Sequence, residues 1–470
     1  NYKPVADLSD FEFEDNESGV TLIKYNGDDS YLIVPSHDES GKPVTVIASE
    51  AFGSYFSSIG APYEIILPDT LTTIEDNAFC SIAIENITIP DSVTNLGNAF
   101  YNCRNLKTLK IGAGVTELTF EFFSDMELEN LIISEKNESI KTVDGLILSK
   151  DGENLKFFVT SLLPSSLVIP SSVRTVEQEF LLNSSNINIP ITIDGADITF
   201  ESSLTASASE VNIIDSTVTI NGTSFYAKKL IVEGSKVFGN HINSQSSISI
   251  HNSTIKAPGG FSVVGGIDIN GSEINGNIEA GSENEYNGLS PYSINIVDST
   301  VTSFKLSAPK INLTSMDLSG LTVGTLDISV GGKDNPLSFE EIKLPKDVTE
   351  KFNLEIINGT KINKIYLPHY NNIFENSDMN PSLWSFYIDT GSEVKFVEIA
   401  EGYHEDPVNN GNLEVYHGVP YYVGNEYSAR EAIFFVPEKG AVEPDAGEIP
   451  VYWGLDKEWE YDENGYPVKI

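Results

Sequence analysis

A short apolar motif returns through this chain on a fixed beat, and nothing else in it constrains the fold as strongly. Apolar-x-apolar pairs stand at Ile65/Leu67, Ile87/Ile89, Leu109/Ile111 and Leu131/Ile133, and each step is 22 residues. Alternation with period two is the mark of a strand that sends both apolar side chains into the core and the residue between them outward. Pro68 and Pro90 follow the first two pairs and end those strands, because proline has no N–H to give to a ladder. A period in the twenties means stacked coils, each touching only its neighbours, and not a globular domain around one pocket. A chain of 470 residues would otherwise be divided into about three domains, but a single array can run its whole length.

A second signal keeps the same time. Segments ending in Ala-Phe or a related pair run over 44–52, 71–79, 93–100, 115–123 and 173–180. The expected structure is a tight helical turn after each strand. The small residue lets the turn approach the stack, and the Phe plugs the coil. Core packing accounts for all of these residues.

Taken together, Ile-x-[Leu/Ile]-Pro-x-x-[Leu/Val]-Thr-x-Ile-x-x-x-Ala-Phe resembles the BspA-like leucine-rich repeat of bacterial surface proteins, over residues 12–190 and more weakly over 340–440. The stretch from Phe13 through Tyr25 to Pro35 resembles the hairpin that opens such arrays. Val143 to Gly152 resembles the hairpin that interrupts them, and it lengthens the step from Leu131 to Leu167. The resemblance implies a non-enzymatic protein, secreted or anchored at the bacterial cell surface, that binds or adheres to host or neighbouring-cell macromolecules. Its implied partners are proteins or glycans outside the cell, and it would act as a monomer. The alternative is a carbohydrate-active enzyme or carbohydrate-binding protein on a β-helix.

From Ile191 the unit becomes apolar-x-apolar-x-x-small-x-apolar. It starts at Ile191, Val211, Leu230, Ile248, Ile267, Ile294 and Ile311, in steps of 20, 19, 18, 19, 27 and 17 residues between second positions. The Ala-Phe plug is gone, and a shorter coil without a helical side is what a parallel β-helix requires. Ser216, Ser235, Ser253, Ser272 and Ser299 recur at one corner, which predicts a stacked hydroxyl ladder and not a set of nucleophiles. The long step contains Glu279 to Ser290, a polar insertion expected to protrude. The motifs Glu341-Ile-Lys-Leu-Pro345 and Lys364-Ile-Tyr-Leu-Pro368, 23 residues apart, return to the first form. The aromatic tail (Tyr416, Tyr421, Tyr422, Tyr427, Phe434, Phe435, Tyr452, Trp453, Trp459, Tyr461, Tyr466) would cap the open strand edge, the alternative being an aromatic ligand-binding platform.

The fold class expected is mainly β: an elongated right-handed parallel β-solenoid, of leucine-rich repeat type with short helical turns, and β-helix-like in the middle. Its expected parts are a capping hairpin with the first repeat (1–60), repeats of 22 residues (61–190), a short-coil solenoid (191–340), and irregular repeats with an aromatic cap (341–470).

Charge narrows the partners. Lys plus Arg is 28 and Asp plus Glu is 69, a net charge of −41. Such a field repels phosphate backbones and argues against nucleic acid and anionic membranes. No apolar run reaches the ~18 residues of a membrane helix, so no transmembrane segment is expected in this chain. The first residue is Asn1, so a signal or anchor would lie upstream. The cysteines, Cys80 and Cys103, sit at different repeat offsets and read as two buried thiols and not as a bridge.

Chemistry has few footholds. The histidines show no metal-ligand spacing. Asn26 to Asp29, Lys150 to Asn154 and Asp462 to Gly465 lack the spacing of a calcium loop and read as hairpin turns. The in-frame carboxylates of the middle block are Asp215, Glu233 and Asp298; Asp215 and Asp298 sit in near-identical strings, which points to a turn role. No catalytic, cofactor-binding or metal-binding residue is therefore predicted, and no cofactor. The candidate binding face is the set of outward strand residues Ile66, Thr88, Lys110, Ile132 and Val168, a row unusually rich in branched apolar side chains.

Overall fold

The computed structural model describes residues 7–29, 31–53, 64–119, 121–123, 126–177, 180–181, 189–280, 292–307, 313–331, 337–356 and 359–367, with separate strands beyond as far as residue 469. It divides into two compact units, Asn1–Phe180 with Ala196–Glu201, and Leu181–Gly195 with Ser202–Ile470.

The first unit opens with the antiparallel hairpin Phe11–Asn16 and Gly19–Tyr25. Five strands then stack in parallel as one sheet: Tyr31–Ile33, Glu64–Ile66, Asn86–Thr88, Thr108–Ile111 and Asn130–Ile133. Their registers align Leu32, Ile65, Ile87, Leu109 and Leu131, which is the 22-residue beat turned into geometry. The opening hairpin belongs to a second five-stranded sheet, in which Gly19–Tyr25 continues in parallel to Val44–Ile47, Thr73–Ile74 and Asn95–Leu96.

These last strands occupy the Val-Thr-x-Ile stretches that precede each Ala-Phe, where the tight helical turn was expected. Among the described residues the helical pieces are three 3-10 turns, of which only Glu121–Phe123 ends in such a Phe pair. Backbone geometry supplies the reason. Glu50 and Asn77, just before Ala51-Phe52 and Ala78-Phe79, have φ of 58° and 60°, a left-handed conformation that cannot continue a helix.

The Phe residues do plug the coils. Ala51, Ala78 and Ala99 are buried, and the rings behind them form a column. Tyr25 and Phe52 lie 5.9 Å apart, Phe52 and Phe79 5.0 Å, and Phe79 and Phe100 5.1 Å. The last two pairs are near-parallel, at 8° and 6°. The column continues through Phe122, Phe123 and Phe157. A hairpin follows, Ile140–Val143 with Leu146–Ser149, turning at Asp144-Gly145, and Leu146–Ser149 pairs in turn with Asn154–Phe158. Lys150 to Asn154 is therefore a hairpin turn as expected. Asn26 to Asp29 is not one: it links strands of different sheets, and Tyr25 Oη donates to Asp29 Oδ2 across it.

In the second unit the predicted registers hold from Ile191 to Ile294. Ile191, Val211, Leu230, Ile248, Ile267 and Ile294 align coil on coil. Each corner begins with a residue in the left-handed region: Gly195, Asp215, Gly234, Asn252, Gly271 and Asp298 have φ between 45° and 60°. Gly, Asn and Asp are the residues that tolerate it. The next residue in the last five is the ladder serine. Ser216, Ser235, Ser253 and Ser272 each give their N–H to the hydroxyl of the next serine, at 3.0–3.1 Å. Each hydroxyl, that of Ser299 included, donates to the carbonyl two residues back, at 2.6–2.8 Å. All five are buried, so the ladder satisfies backbone groups that water cannot reach.

The seventh unit departs from expectation. The register sets Met316, not Ile311, against Ile294. Ile311 lies outside the described residues, and Met316 and Leu318 are the buried pair before the turn at Ser319-Gly320, with Asp317 between them facing out. The pair that matters is the one next to the corner. The two later motifs pair in parallel: Glu341, Ile342 and Lys343 align with Lys364, Ile365 and Tyr366. Most of the insertion from Glu279 to Ser290 lies outside the described residues. So do Tyr416, Tyr421, Tyr422, Tyr427 and Tyr466 and the turn from Asp462 to Gly465; the strands flanking that turn, Trp459–Tyr461 and Pro467–Lys469, are antiparallel.

Candidate binding face

The outward row of the first parallel sheet follows from its register. Ile33 aligns with Ile66, Thr88 with Lys110, and Lys110 with Ile132; Ile65 aligned with Ile87 brings Ile66 beside Thr88. The inward neighbours Ile65, Ile87, Leu109 and Leu131 are buried, while Ile66 is 41% and Ile132 49% exposed, and Thr88 and Lys110 are exposed. Two large isoleucines facing solvent on a regular sheet are costly, because each leaves hydrophobic area in water at about 25 cal/mol per Å². Val168 is 56% exposed, but its strand, Leu167–Ile169, belongs to the sheet of the Ile140–Phe158 hairpin. The structure thus brings four of the five candidates into one row and places Val168 apart. Polar residues line the row: Glu64, Asn86, Thr108 and Asn130 form the next column. Beside it Lys107 pairs with Glu129 at 2.9 Å.

The middle carboxylates take up turn positions. Asp215 and Asp298 hold the left-handed corner geometry with φ of 45°. They stand four corners apart, about 19 Å at ~4.8 Å per strand, well beyond the 5–10 Å of a carboxylate pair that cleaves a glycosidic bond. Glu233 is exposed, and its carbonyl receives the Ser235 hydroxyl.

One polar chain escaped the sequence reading. His251 Nε2 lies 3.0 Å from Asp268 Oδ2, Asn295 Nδ2 donates to Asp268 Oδ1 at 2.9 Å, and Ser249 Oγ is 3.4 Å from the same His251 nitrogen. Its signal was present: Ser249, Asp268 and Asn295 are successive middle positions of the repeat, and His251 is two residues after Ser249. Both oxygens approach the same nitrogen, so the ring cannot take a proton from Ser on one nitrogen while Asp holds the N–H of the other, as a catalytic triad requires.

The two cysteines are free and buried. Cys103 Sγ donates to the Phe79 carbonyl at 2.9 Å, and burial pushes its thiol up from near 9 to about 12. It stays protonated and unreactive at physiological pH. Among the described residues there is no group of three or more metal-ligating side chains and no helix long and apolar enough to cross a membrane.

Comparison with known proteins follows the same lines. Residues 40–143 match the BspA type leucine rich repeat region, in six copies. No curated protein matches the chain. Among solved structures it is similar to a leucine-rich repeat protein of T. pallidum, at 20% identity over 27% of this chain and 82% of that one, with a TM-score of 0.20. It is similar to the pneumococcal vaccine antigen PcpA, at 15% identity over 83% of this chain and 98% of that one, with a TM-score of 0.32. A leucine-rich repeat protein of Bacteroides ovatus is 14% identical over 83% of this chain and 100% of its own, with a TM-score of 0.26. With parallel strands on a 22-residue step, Phe52, Phe79 and Phe100 stacked in succession and six matched copies, residues 40–143 are similar to the BspA type leucine rich repeat region.

Proposed function

We propose that this chain is a non-enzymatic binding protein of the bacterial cell surface, and that it adheres to proteins or glycans outside the cell through the row Ile66, Thr88, Lys110 and Ile132. The observation that carries this reading is the exposure of Ile66 and Ile132 at the two ends of one outward row, flanking Thr88 and Lys110, since exposed apolar side chains set among polar ones mark interaction surfaces. Lys110 between them supplies a charge that orients an acidic or hydroxyl-rich partner. The net charge of −41 favours partners that are neutral or basic elsewhere, because like-charged surfaces repel at long range.

The test is a Lys110→Glu, Ile132→Asp double variant, compared with the intact chain on a panel of immobilised extracellular proteins and glycans. Both changes sit at exposed positions, so the melting curve is expected to shift by no more than about 1 kcal/mol in stability. Retention is expected to fall at least tenfold, about 1.4 kcal/mol, on the ligand that the intact chain prefers. A double variant that binds every ligand as the intact chain does would remove this face from the account.

A further inference from the structure

The charge of this protein is not evenly spread. Between Asp215 and Asp268 lie 52 residues that contain four lysines and one acid, Glu233, a local balance of 4 − 1 = +3 in a chain of −41. Two of those lysines share a face of the second unit. Parallel pairing sets Thr217 against Lys236 and Lys236 against Thr254; one pleat along, Thr219 lies against Phe238 and Phe238 against Lys256. Val218, Val237 and Ile255, between them, point inward and are buried. Alternation therefore sends Thr217, Thr219, Lys236, Phe238, Thr254 and Lys256 to the outside of three adjacent strands.

Lys42, Lys107, Lys136, Lys156, Lys229 and Lys343 each hold a carboxylate. Lys236 and Lys256 are exposed, and neither forms an ion pair among the described residues. The Lys256 ammonium instead lies 5.9 Å from the centre of the Phe238 ring, an arrangement that fixes the cation over an aromatic face. In a protein with this excess of acid, two neighbouring lysines without carboxylates leave room for an anion from outside.

We propose that this face binds an acidic polysaccharide. The lysines meet its carboxylates, the threonine hydroxyls meet its sugar hydroxyls, and the threonine methyls and the Phe238 ring meet its apolar C–H faces. Charge density selects this class of ligand. Glu273 pairs with Thr254 on the far side of the patch, and Glu233 precedes its near corner. A polymer with a charge on every unit, such as a polyphosphate, would be driven against both acids and against the field of the whole chain. A glycan with charges spaced along a neutral backbone can place them on Lys236 and Lys256 alone. This surface lies in the second unit and does not depend on the row of the first.

The probe is a hyaluronan oligosaccharide titrated into the full chain at low and at physiological salt, with dextran as the neutral comparison and polyphosphate as the dense one. Binding to hyaluronan is expected to weaken with salt and to be absent for dextran. The Lys236→Gln, Lys256→Gln double variant is expected to lose about tenfold, two charge contacts at about 0.7 kcal/mol each. Lys228 serves as the control. It is exposed in the same coil, but at the bend within Ser224–Glu233, where the register shifts; Lys228→Gln should change binding by less than about twofold. Circular dichroism of all variants should match the parent chain. The proposal is overturned if the parent chain does not bind hyaluronan, if Lys228→Gln weakens binding as much as the double variant, if polyphosphate binds more tightly than hyaluronan, or if the lysine changes act by altering self-association.

Discussion

Phe79→Ala is expected to cost about 3–5 kcal/mol, the range for removing a fully buried aromatic ring, and to lower the unfolding midpoint of the first unit by on the order of 10 °C. Phe79 is wholly buried. Its ring lies between Phe52 and Phe100, at 5.0 and 5.1 Å, nearly parallel to both. Removal leaves a cavity that neither neighbour can fill, because each already stacks on the next coil. Phe79→Leu should recover roughly half of the loss, since it restores volume but not the ring contacts. Thermal unfolding followed by circular dichroism measures both. A Phe79→Ala chain that melts with the parent would show that the column is not what joins the coils.

The second large effect is expected at Asn137, which has no solvent exposure. Its amide donates to the carbonyls of Gly112 and Val115, and its oxygen accepts from the N–H groups of Ser139 and Ile140. One side chain therefore satisfies four backbone groups and ties a coil turn to the strand that starts the hairpin. Asn137→Ala leaves these groups without partners, at about 1–3 kcal/mol for each that water cannot reach; a total of about 3 kcal/mol or more is expected from urea unfolding. Asn137→Asp keeps the acceptors, loses both donors and buries a charge, so it should cost no less at neutral pH. Asn86→Ala, at an exposed position, should stay within about 0.5 kcal/mol. Equal effects at Asn137 and Asn86 would contradict this assignment.

Neither Asn137 nor its bonds could be seen in the sequence, although much else could. The inward pairs Ile65/Leu67 to Leu131/Ile133 were legible because a period-two pattern repeated every 22 residues admits one register. The Ser corner was legible for a related reason: a small residue recurring at one offset, after Gly, Asn or Asp, marks a left-handed turn. What failed was local. The Val-Thr-x-Ile segments are short strands because they pair with one another coil on coil, and pairing between distant segments leaves little trace in a local pattern. Met316 displaced Ile311 because both apolar pairs satisfy the motif and only the corner chooses between them. Val168 left the binding row because its strand belongs to another sheet, and pairing between distant strands is not written in local alternation. The Lys236/Lys256 face was hidden for the same reason: the two lysines are 20 residues apart and meet only in the register.

The central claim is that alternation on the 22-residue strands turns one row of side chains into the core and the next row out to a partner. Maleimide labelling of single cysteines at adjacent positions tests it directly, against the low background of the buried Cys80 and Cys103. Ile132→Cys, at a side chain 49% exposed, should label in the native chain nearly as fast as in urea. Leu131→Cys, at a buried side chain 9% exposed, should label only as the chain opens. Equal native rates at the two positions, or faster labelling at 131, would contradict the register on which the fold and the binding face both rest.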